Sequence, residues 1–271
     1  MNTDLPPESG TSPENQTKPR RSDEFVRSFA RGLSIIEALG RSPGRHTMAE
    51  IAALSGLTRA TARRVLSTLV ELGYAEVKGR YYRLAPRVLG LGLSYVAALP
   101  FWGYAQPILE ELRSEVGESC ALAVLDGAEI VYLVRLPARR ILAMNLGVGS
   151  RLPAHAVSLG RVLLSGLQDD ALDRVLSRDL QRFTSRTLAE PEGLREELDR
   201  VRRQGYAWVD GELDPAISGI AVPVRDHTNG IVAAISVNFI SGSLDENAAK
   251  ARFLIPLRRA AEDIRARTPA V

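Results

Sequence analysis

The stretch that most constrains this chain runs from Thr47 to Leu72. Thr47-Met48-Ala49-Glu50 has the spacing of a capping box, in which the threonine hydroxyl accepts from the third backbone N–H and the glutamate reaches back to the cap. A short helix is predicted through Ser55, with Ile51, Ala52 and Leu54 facing inward. Gly56-Leu57 turns the chain, and Thr58 caps a longer helix reaching about Leu72. Its buried face is Ala62, Val65, Leu66 and Leu69; its other face carries Arg59, Thr61, Arg63, Arg64 and Ser67. Two such helices joined by a glycine turn are a helix-turn-helix. Upstream, Phe25, Phe29, Leu33, Ile36 and Leu39 recur at three- and four-residue steps, an apolar stripe on a first helix that Gly40, Pro43 and Gly44 end. Downstream of Gly73, Tyr74–Val77 and Tyr81–Leu84 alternate around Lys78-Gly79-Arg80, which predicts a hairpin with a basic tip, the wing of a winged helix.

Charge follows the same boundaries. Residues 18–87 hold 14 Lys/Arg against 6 Asp/Glu, residues 1–17 carry 3 acidic groups and no basic one, and residues 88–271 hold 21 against 23. A basic module on a near-neutral body points to a polyanion partner. The first turns of the second helix are where a recognition helix meets base edges and phosphates of double-stranded DNA. Candidate DNA-binding residues are Arg45, Thr47, Thr58, Arg59, Thr61, Arg63, Arg64, Ser67, Lys78 and Arg80. The competing reading is a three-helix protein-interaction module with solvated arginines; the agreement of charge, caps, turn and wing favours DNA.

Pro86–Ala98 is apolar and predicts a linker helix with a stripe of Leu89, Leu93 and Val96. Such a helix pairs with a second copy or packs on its own domain. Pairing is favoured, because two half-sites of a palindromic operator multiply affinity. Trp102–Val116 continues as helix. From Ser119 the pattern turns to strands: Cys120–Leu125 and Ile130–Leu136 flank the Asp126-Gly127 turn, and Ile141–Leu146 is a third strand. His155–Leu167, Asp169–Ser177 and Glu192–Gln204 read as helices, Tyr206–Val209, Ile217–Arg225 and Ile231–Phe239 as strands, and Asp245–Arg267 as a closing helix. The fold class is α+β. The expected domains are a disordered tail 1–21, a winged helix-turn-helix 22–85, a linker helix 86–100 and a second domain 101–271.

Other chemistry is thin. Cys120 is the only cysteine, and His46, His155 and His227 are the only histidines, so neither a disulfide within the chain nor a metal site is expected. No apolar run reaches a membrane span, and the polar first twenty residues, with Pro6, Pro7, Pro13 and Pro19, do not read as a secretory signal. A cytoplasmic protein without cofactor is expected. Ala156-Val157-Ser158-Leu159-Gly160 approaches a nucleophile elbow, but alanine replaces the first glycine and His155 adjoins the serine, so a hydrolase with a DNA-binding appendage is the minor alternative. Gly90-Leu91-Gly92 and Gly147-Val148-Gly149 lack the third glycine of a dinucleotide fingerprint.

Taken together the residues resemble an IclR-type transcriptional regulator. The likeness covers the chain after residue 24: the winged helix, the segment Gly149-Ser-Arg-Leu-Pro-Ala-His155-Ala-Val-Ser-Leu-Gly160-Arg-Val-Leu-Leu, the segment Gly205-Tyr-Ala-Trp-Val-Asp210-Gly-Glu-Leu213, and the strands Ile220–Arg225 and Ala233–Asn238. Phe25–Leu33, Leu57–Arg64, Glu118–Ala121 and Leu152–Leu164 are similar to the branch that regulates protocatechuate, 4-hydroxybenzoate and β-ketoadipate catabolism; the departure is Val157, where threonine is expected. That branch holds activators and repressors, so an activator's contact with RNA polymerase is a conditional partner.

The resemblance implies a GAF-like effector domain around a mainly antiparallel sheet, binding a small organic acid such as protocatechuate, 4-hydroxybenzoate or β-ketoadipate, in a homodimer or homotetramer. The predicted start of the His155 helix offers free N–H donors for a carboxylate. Ser158 adds a hydroxyl beside Leu159, and Gly160 permits close approach. Arg135 and Arg151 either pair with the carboxylate or form surface salt bridges. His155 is either a helix cap or a ligand contact. Asp210 and Glu212 either accept a ligand hydroxyl or cap a turn. Ser218, Gly219, Ser236 and Asn238 match the family's pocket positions on the last strands, and alternation puts Ser236 and Asn238 on one sheet face. A regulator of another carbon source sensing a non-aromatic acid, and a DNA-binding protein that senses nothing, are the remaining alternatives.

Overall fold

The computed structural model describes residues 22–41, 44–138 and 146–268. The expected tail over 1–21 lies outside them, as do residues 141–145 of the third strand expected at Ile141–Leu146. The chain parts into two compact units between Gly92 and Leu93. No single helix among the described residues is long and apolar enough to cross a membrane.

The N-terminal unit opens with α1 (Arg27–Gly40) and a two-residue strand β1 (His46–Thr47). Helix α2 (Met48–Ser55) starts on the capping box: Thr47 N donates to Glu50 Oε2 at 2.7 Å and Glu50 N to Thr47 Oγ1 at 3.4 Å. Gly56 ends it with φ at 65°, the left-handed region that glycine enters without steric cost. Thr58 caps α3 (Arg59–Glu71), its hydroxyl accepting from Thr61 N. Strands β2 (Ala75–Lys78) and β3 (Tyr81–Leu84) form the antiparallel wing, and β1 pairs with β3 on its other side. The core is Ile35, Leu39, Ile51, Ala52, Ala62, Leu66, Leu69 and Ala75.

Two expectations change here. Leu54 stays exposed rather than facing inward. The α1 stripe is buried only at its C-terminal end, at Ile35, Ala38 and Leu39, while Phe29 is 68% exposed and Phe25 and Leu33 are exposed too. The physical reason is size: the stripe outruns the small core that α2 and α3 supply.

After a short 3-10 turn (Pro86–Val88) comes α4 (Leu89–Ala97), inside which the two units part. The C-terminal unit continues with α5 (Trp102–Val116), β4 (Ser119–Asp126), β5 (Glu129–Leu136), β6 (Arg151–Pro153), a 3-10 turn (Ala154–Ala156), α6 (Ser158–Ser165), α7 (Asp169–Leu176), α8 (Pro191–Gln204), β7 (Ala207–Asp210), β8 (Ile217–Arg225), β9 (Ile231–Ile240) and α9 (Glu246–Arg267). The strands make one sheet in the order β6-β5-β4-β9-β8-β7, every neighbour antiparallel. Its edges, β6 and β7, are three and four residues long, which limits edge-to-edge pairing.

Alternation gives the two faces different characters. One carries Leu122, Val124, Ile220, Val222, Ile235, Val237 and Phe239 against α5 and α9, in a core with Leu109, Phe253 and Leu257. Each such side chain contributes roughly 1.5–3 kcal/mol on full burial. The other face carries Ala121, Ala123, Ala207, Ala221 and Ala234, in a core with Leu159, Val162, Leu163, Leu194 and Leu198 of α6 and α8. An alanine floor lets α6 lie close to the sheet, and the site is built there.

Candidate functional site

On the N-terminal unit, Thr58, Arg59, Thr61, Arg63, Arg64 and Ser67 fall on the cap and exposed side of α3. The guanidinium groups of Arg59, Arg63 and Arg64 make no hydrogen bond or ion pair with another described residue. Thr58 and Thr61 share a hydroxyl–hydroxyl bond of 3.0 Å besides the cap, so both serve the start of the helix. Thr47 is committed to the capping box, and Arg45 is exposed just before it. Lys78 and Arg80 stand exposed at the wing tip around Gly79, whose φ is 63°. Arg80 donates to Tyr81 Oη at 2.9 Å and lies 5.1 Å from its ring centroid, a pre-ordered cation.

On the C-terminal unit, a cavity of about 60 Å³ lies between the alanine face and the start of α6. That is several times the ~10–15 Å³ that holds one water. Cross-strand register explains its floor. Val209, Gly219, Asn238 and Ser119 are successive partners across β7, β8, β9 and β4, and all four line the cavity. The adjacent row on the same face is Ala207, Ala221, Ser236, Ala121 and Arg135. Asn238 Nδ2 donates to Ser236 Oγ at 2.9 Å, which leaves the Asn238 carbonyl oxygen facing Gly219. A Cβ on Gly219 would stand 2.6 Å from that oxygen and 2.8 Å from Ser158 Oγ, so only glycine lets these two polar groups converge.

Arg135 reaches this cavity through an irregularity. Tyr132 and Arg135 both line it although they are three residues apart, a spacing that strict alternation would put on opposite faces. The register against β4 slips between Leu122 and Ala123: Ala123 pairs with Tyr132 and Leu122 with Val134, leaving Leu133 as the extra residue of a β-bulge. Such bulges re-aim side chains. Here the bulge turns Arg135 onto the cavity side of the sheet, 5.8 Å from the Tyr132 ring. Among the described residues, Arg135 Nε is the one buried side-chain nitrogen or oxygen without a hydrogen-bond partner. A buried donor left unpaired costs about 1–3 kcal/mol, so an anion brought to it would relieve that cost. Burial raises the Tyr132 phenol above its ordinary range.

Of the residues anticipated for the effector, Arg135, Ser158, Leu159, Gly219 and Asn238 line the cavity; Arg151, His155, Gly160, Asp210, Ser218 and Ser236 do not. Arg151 takes the surface alternative, bonding Glu129 Oε2 at 2.8 Å and Asp126 Oδ2 at 2.6 Å on the exposed β6 edge. The α6 helix begins at Ser158, not His155, because Val157 is extended (φ −133°, ψ 147°) and breaks it from the 3-10 turn holding His155. His155 therefore caps no helix; its Nε2 donates to the Gln181 carbonyl at 3.0 Å, and burial lowers its pKa below 6.5. Gly160 approaches protein rather than ligand: a Cβ there would sit 2.1 Å from the Ala154 carbonyl oxygen. Asp210 accepts from Ser218, from Ser241 at 2.7 Å and from Arg186 at 2.6 Å. Burial pushes its carboxyl up, but these donors outweigh burial and hold it below the carboxylate range. Glu212 is buried against Arg161 at 2.5 Å and accepts from Leu188 N at 2.9 Å.

Sequence reasoning missed three polar lining residues, Ser119, Tyr132 and Asp214, besides apolar ones such as Leu146 and Ile217. The Ser119–Asn238 pairing could have been inferred once the sheet order was known. Tyr132 depends on the bulge, and Asp214 on a loop with no periodic signal.

A family model of the IclR helix-turn-helix domain matches residues 28–79, and one of the bacterial transcriptional regulator IclR C-terminal domain matches residues 93–266. The chain belongs to the IclR family of transcriptional regulators. It is 39% identical over 243 residues to the Pca regulon regulatory protein of Pseudomonas putida, covering 89% of this chain and 84% of that one. It is 32% identical over 222 residues to the p-hydroxybenzoate hydroxylase transcriptional activator of Acinetobacter baylyi, covering 80% and 82%. A solved structure of an IclR homologue from Microbacterium hydrocarbonoxydans, complexed with 4-hydroxybenzoate, superposes with a TM-score of 0.78 at 30% identity, covering 89% of this chain and 98% of that one. As an IclR-type regulator the chain binds DNA through its helix-turn-helix and answers to an effector, and these relatives are regulators rather than enzymes.

Proposed function

We propose that this IclR-type regulator controls genes of aromatic-acid catabolism and is set by a small organic acid held in the cavity beneath α6. The observation that carries the effector half is Arg135 Nε, a buried and unpartnered donor on a residue that lines a cavity whose other walls are mostly apolar or hydroxyl-bearing, with Asp214 and Asn238 as further polar groups. A ligand carboxylate would pair with it, with Ser158 and the N–H groups opening α6 as further donors. The aromatic assignment draws on relatives whose names refer to the Pca regulon and to p-hydroxybenzoate hydroxylase, and on the homologue holding 4-hydroxybenzoate. Protocatechuate, 4-hydroxybenzoate and β-ketoadipate are the candidate acids.

The DNA half rests on the three free arginines of α3 and the cationic wing. A homodimer on a palindromic operator would use both; exposed Phe29 on α1 and Leu89 and Leu93 on α4 supply apolar surface for a second copy. Working domains are 22–85, 86–100 and 101–271, in a cytoplasmic protein that touches RNA polymerase if it activates. Effector and operator would be coupled by about 1–3 kcal/mol.

The test is a thermal-shift series on the full chain with the three candidate acids, pyruvate and glyoxylate, followed by operator binding with and without each hit. A ligand at 100 times its Kd stabilises by about 2.7 kcal/mol. One selective acid that also changes operator affinity is expected. If no acid shifts the melt and operator binding is indifferent to all of them, the effector reading is wrong. A stabilising pyruvate or glyoxylate in place of the ring acids would move the protein to another carbon-source pathway.

A further inference from the structure

The cavity has two chemically distinct ends, and only one of them is cationic. Arg135 is the one basic residue among its lining residues and Asp214 the one acidic residue. They come from opposite sides of the sheet. Arg135 is on β5 and Asp214 is in the loop entering β8, with β4 and β9 between those strands. Three strand spacings separate β5 from β8, about 14 Å at backbone level. Asp214 Oδ1 accepts from Ala216 N at 2.9 Å, a turn bond that leaves its second carboxylate oxygen free of any partner among the described residues. Near that wall the Asn238 carbonyl oxygen, which faces Gly219, is a further acceptor, while the amide nitrogen donates to Ser236. The rest of the lining is mainly apolar, Val157, Leu159 and Ile217 among it, and also carries the hydroxyls of Ser119, Tyr132 and Ser158.

We propose, resting on the effector reading above, that the ligand is a monocarboxylic acid with hydroxyl donors at the end remote from its carboxylate, and that Asp214 and Asn238 read those hydroxyls. A hydroxyl donates into an acceptor pair, and each such bond to a carboxylate is charge-assisted. A second carboxylate placed there would meet the like charge of Asp214, so aliphatic dicarboxylates are rejected. A ring packs on the apolar part of the lining, and an unhydroxylated ring acid leaves the acceptors unsatisfied. The branch's candidate acids thereby divide: the two hydroxybenzoates fit both ends, and β-ketoadipate fits only the Arg135 end.

The experiment is calorimetric titration of the full chain with benzoate, 4-hydroxybenzoate, protocatechuate, adipate and β-ketoadipate, repeated on Asp214→Asn and Arg135→Gln. In the wild type the hydroxylated acids should bind at least about tenfold tighter than benzoate or either dicarboxylate. Asp214→Asn keeps the oxygen that accepts from Ala216 N, so the turn survives; it should weaken the hydroxylated acids and narrow their lead over the dicarboxylates. Equal or tighter dicarboxylate binding in the wild type overturns the proposal without needing any variant, as does an unchanged preference in Asp214→Asn. If acids bind and Arg135→Gln abolishes binding without any hydroxyl preference, this inference falls and the effector reading stands. If no acid binds, or Arg135→Gln changes nothing, the effector reading falls and this inference with it.

Discussion

The arginines of α3 and six arginines of the C-terminal unit are used in opposite ways. On α3 the guanidinium groups of Arg59, Arg63 and Arg64 hang in solvent with no protein partner among the described residues. In the C-terminal unit Arg151, Arg161, Arg182, Arg186, Arg195 and Arg200 each meet a carboxylate of the same chain. An unpaired cation is cheap where water solvates it and expensive where it does not. Free arginines on a helix face therefore say little about stability and much about an external anion such as phosphate. Tied arginines say the reverse. Arg135 belongs to neither group, because it is buried at Nε and has no anion, and that mismatch makes it the most informative residue of the C-terminal unit.

The sharpest way to break this comparison is to untie one tied arginine. Arg161 and Glu212 are both buried; Arg161 also donates to the His155 carbonyl at 3.1 Å and lies 3.7 Å from Glu197. Glu212→Ala should cost about 3–5 kcal/mol by stranding a buried charge. Glu76→Ala, which breaks the exposed Arg83–Glu76 pair of the wing, should cost at most about 1 kcal/mol. Denaturant unfolding of both variants measures the difference. Equal losses would mean that burial does not separate the two classes.

Next in size is the exception. Arg135→Gln should weaken effector binding by about 2–5 kcal/mol, as expected when one partner of a buried charge pair is removed. The thermal midpoint of the ligand-free variant should not fall, since the wild-type Nε has no partner to lose. A marked loss of apo stability would show Arg135 to be structural after all, like the arginines around it.

How much of this was legible in the sequence follows the range of the interactions. The Thr47–Glu50 box, the Gly56 turn, the Thr58 cap and the wing are each settled within four to eleven residues, and the chain reads directly into them. The shared face of Ser236 and Asn238 was equally local, a matter of period two. Arg135 was named but its orientation was not foreseeable, because Leu133 looks like any apolar strand residue and only the register against β4 reveals it as a bulge. The start of α6 was misplaced for a related reason: Ala154 to Ala156 have helix-compatible composition, and the extended Val157 that severs them leaves no compositional mark. Strand β6 is three residues on a sheet edge, too short for any periodicity.

Smaller again is the effect of removing one free cation from the DNA-reading face. Arg59→Ala should reduce operator affinity by about 1–3 kcal/mol if the side chain reads a base. It should leave the unfolding midpoint and the acid affinity in place, because Arg59 holds nothing together. Gel-shift titration at two salt concentrations separates the roles: a phosphate contact lowers the salt slope and weakens all sequences alike, whereas a base contact relaxes specificity at one position. A variant that loses stability in step with affinity would place Arg59 with the tied arginines and undo the comparison at its other end.

The smallest expected effect concerns the group that the buried Arg161–Glu212 pair surrounds. His155 is held neutral chiefly by burial, and the Arg161 charge acts in the same direction; the Gln181 carbonyl and Glu212 act against it. Its folded pKa is thus below the 6.5 of an exposed histidine, so as pH falls through about 6.5 the unfolded chain takes up a proton before the folded one does. Stability from this residue is fully present above that value and drains away as pH drops towards the folded pKa. The melting temperature of the wild type should therefore fall between about pH 7.5 and pH 5.5 more steeply than that of His155→Asn, whose amide N–H can still donate to the Gln181 carbonyl. Parallel slopes for the two proteins would mean that His155 protonates in the folded state as easily as in water. The 181–190 segment, which Glu212 also holds through Leu188 N and the Thr187 hydroxyl, would then be looser around the imidazole than its hydrogen bonds imply.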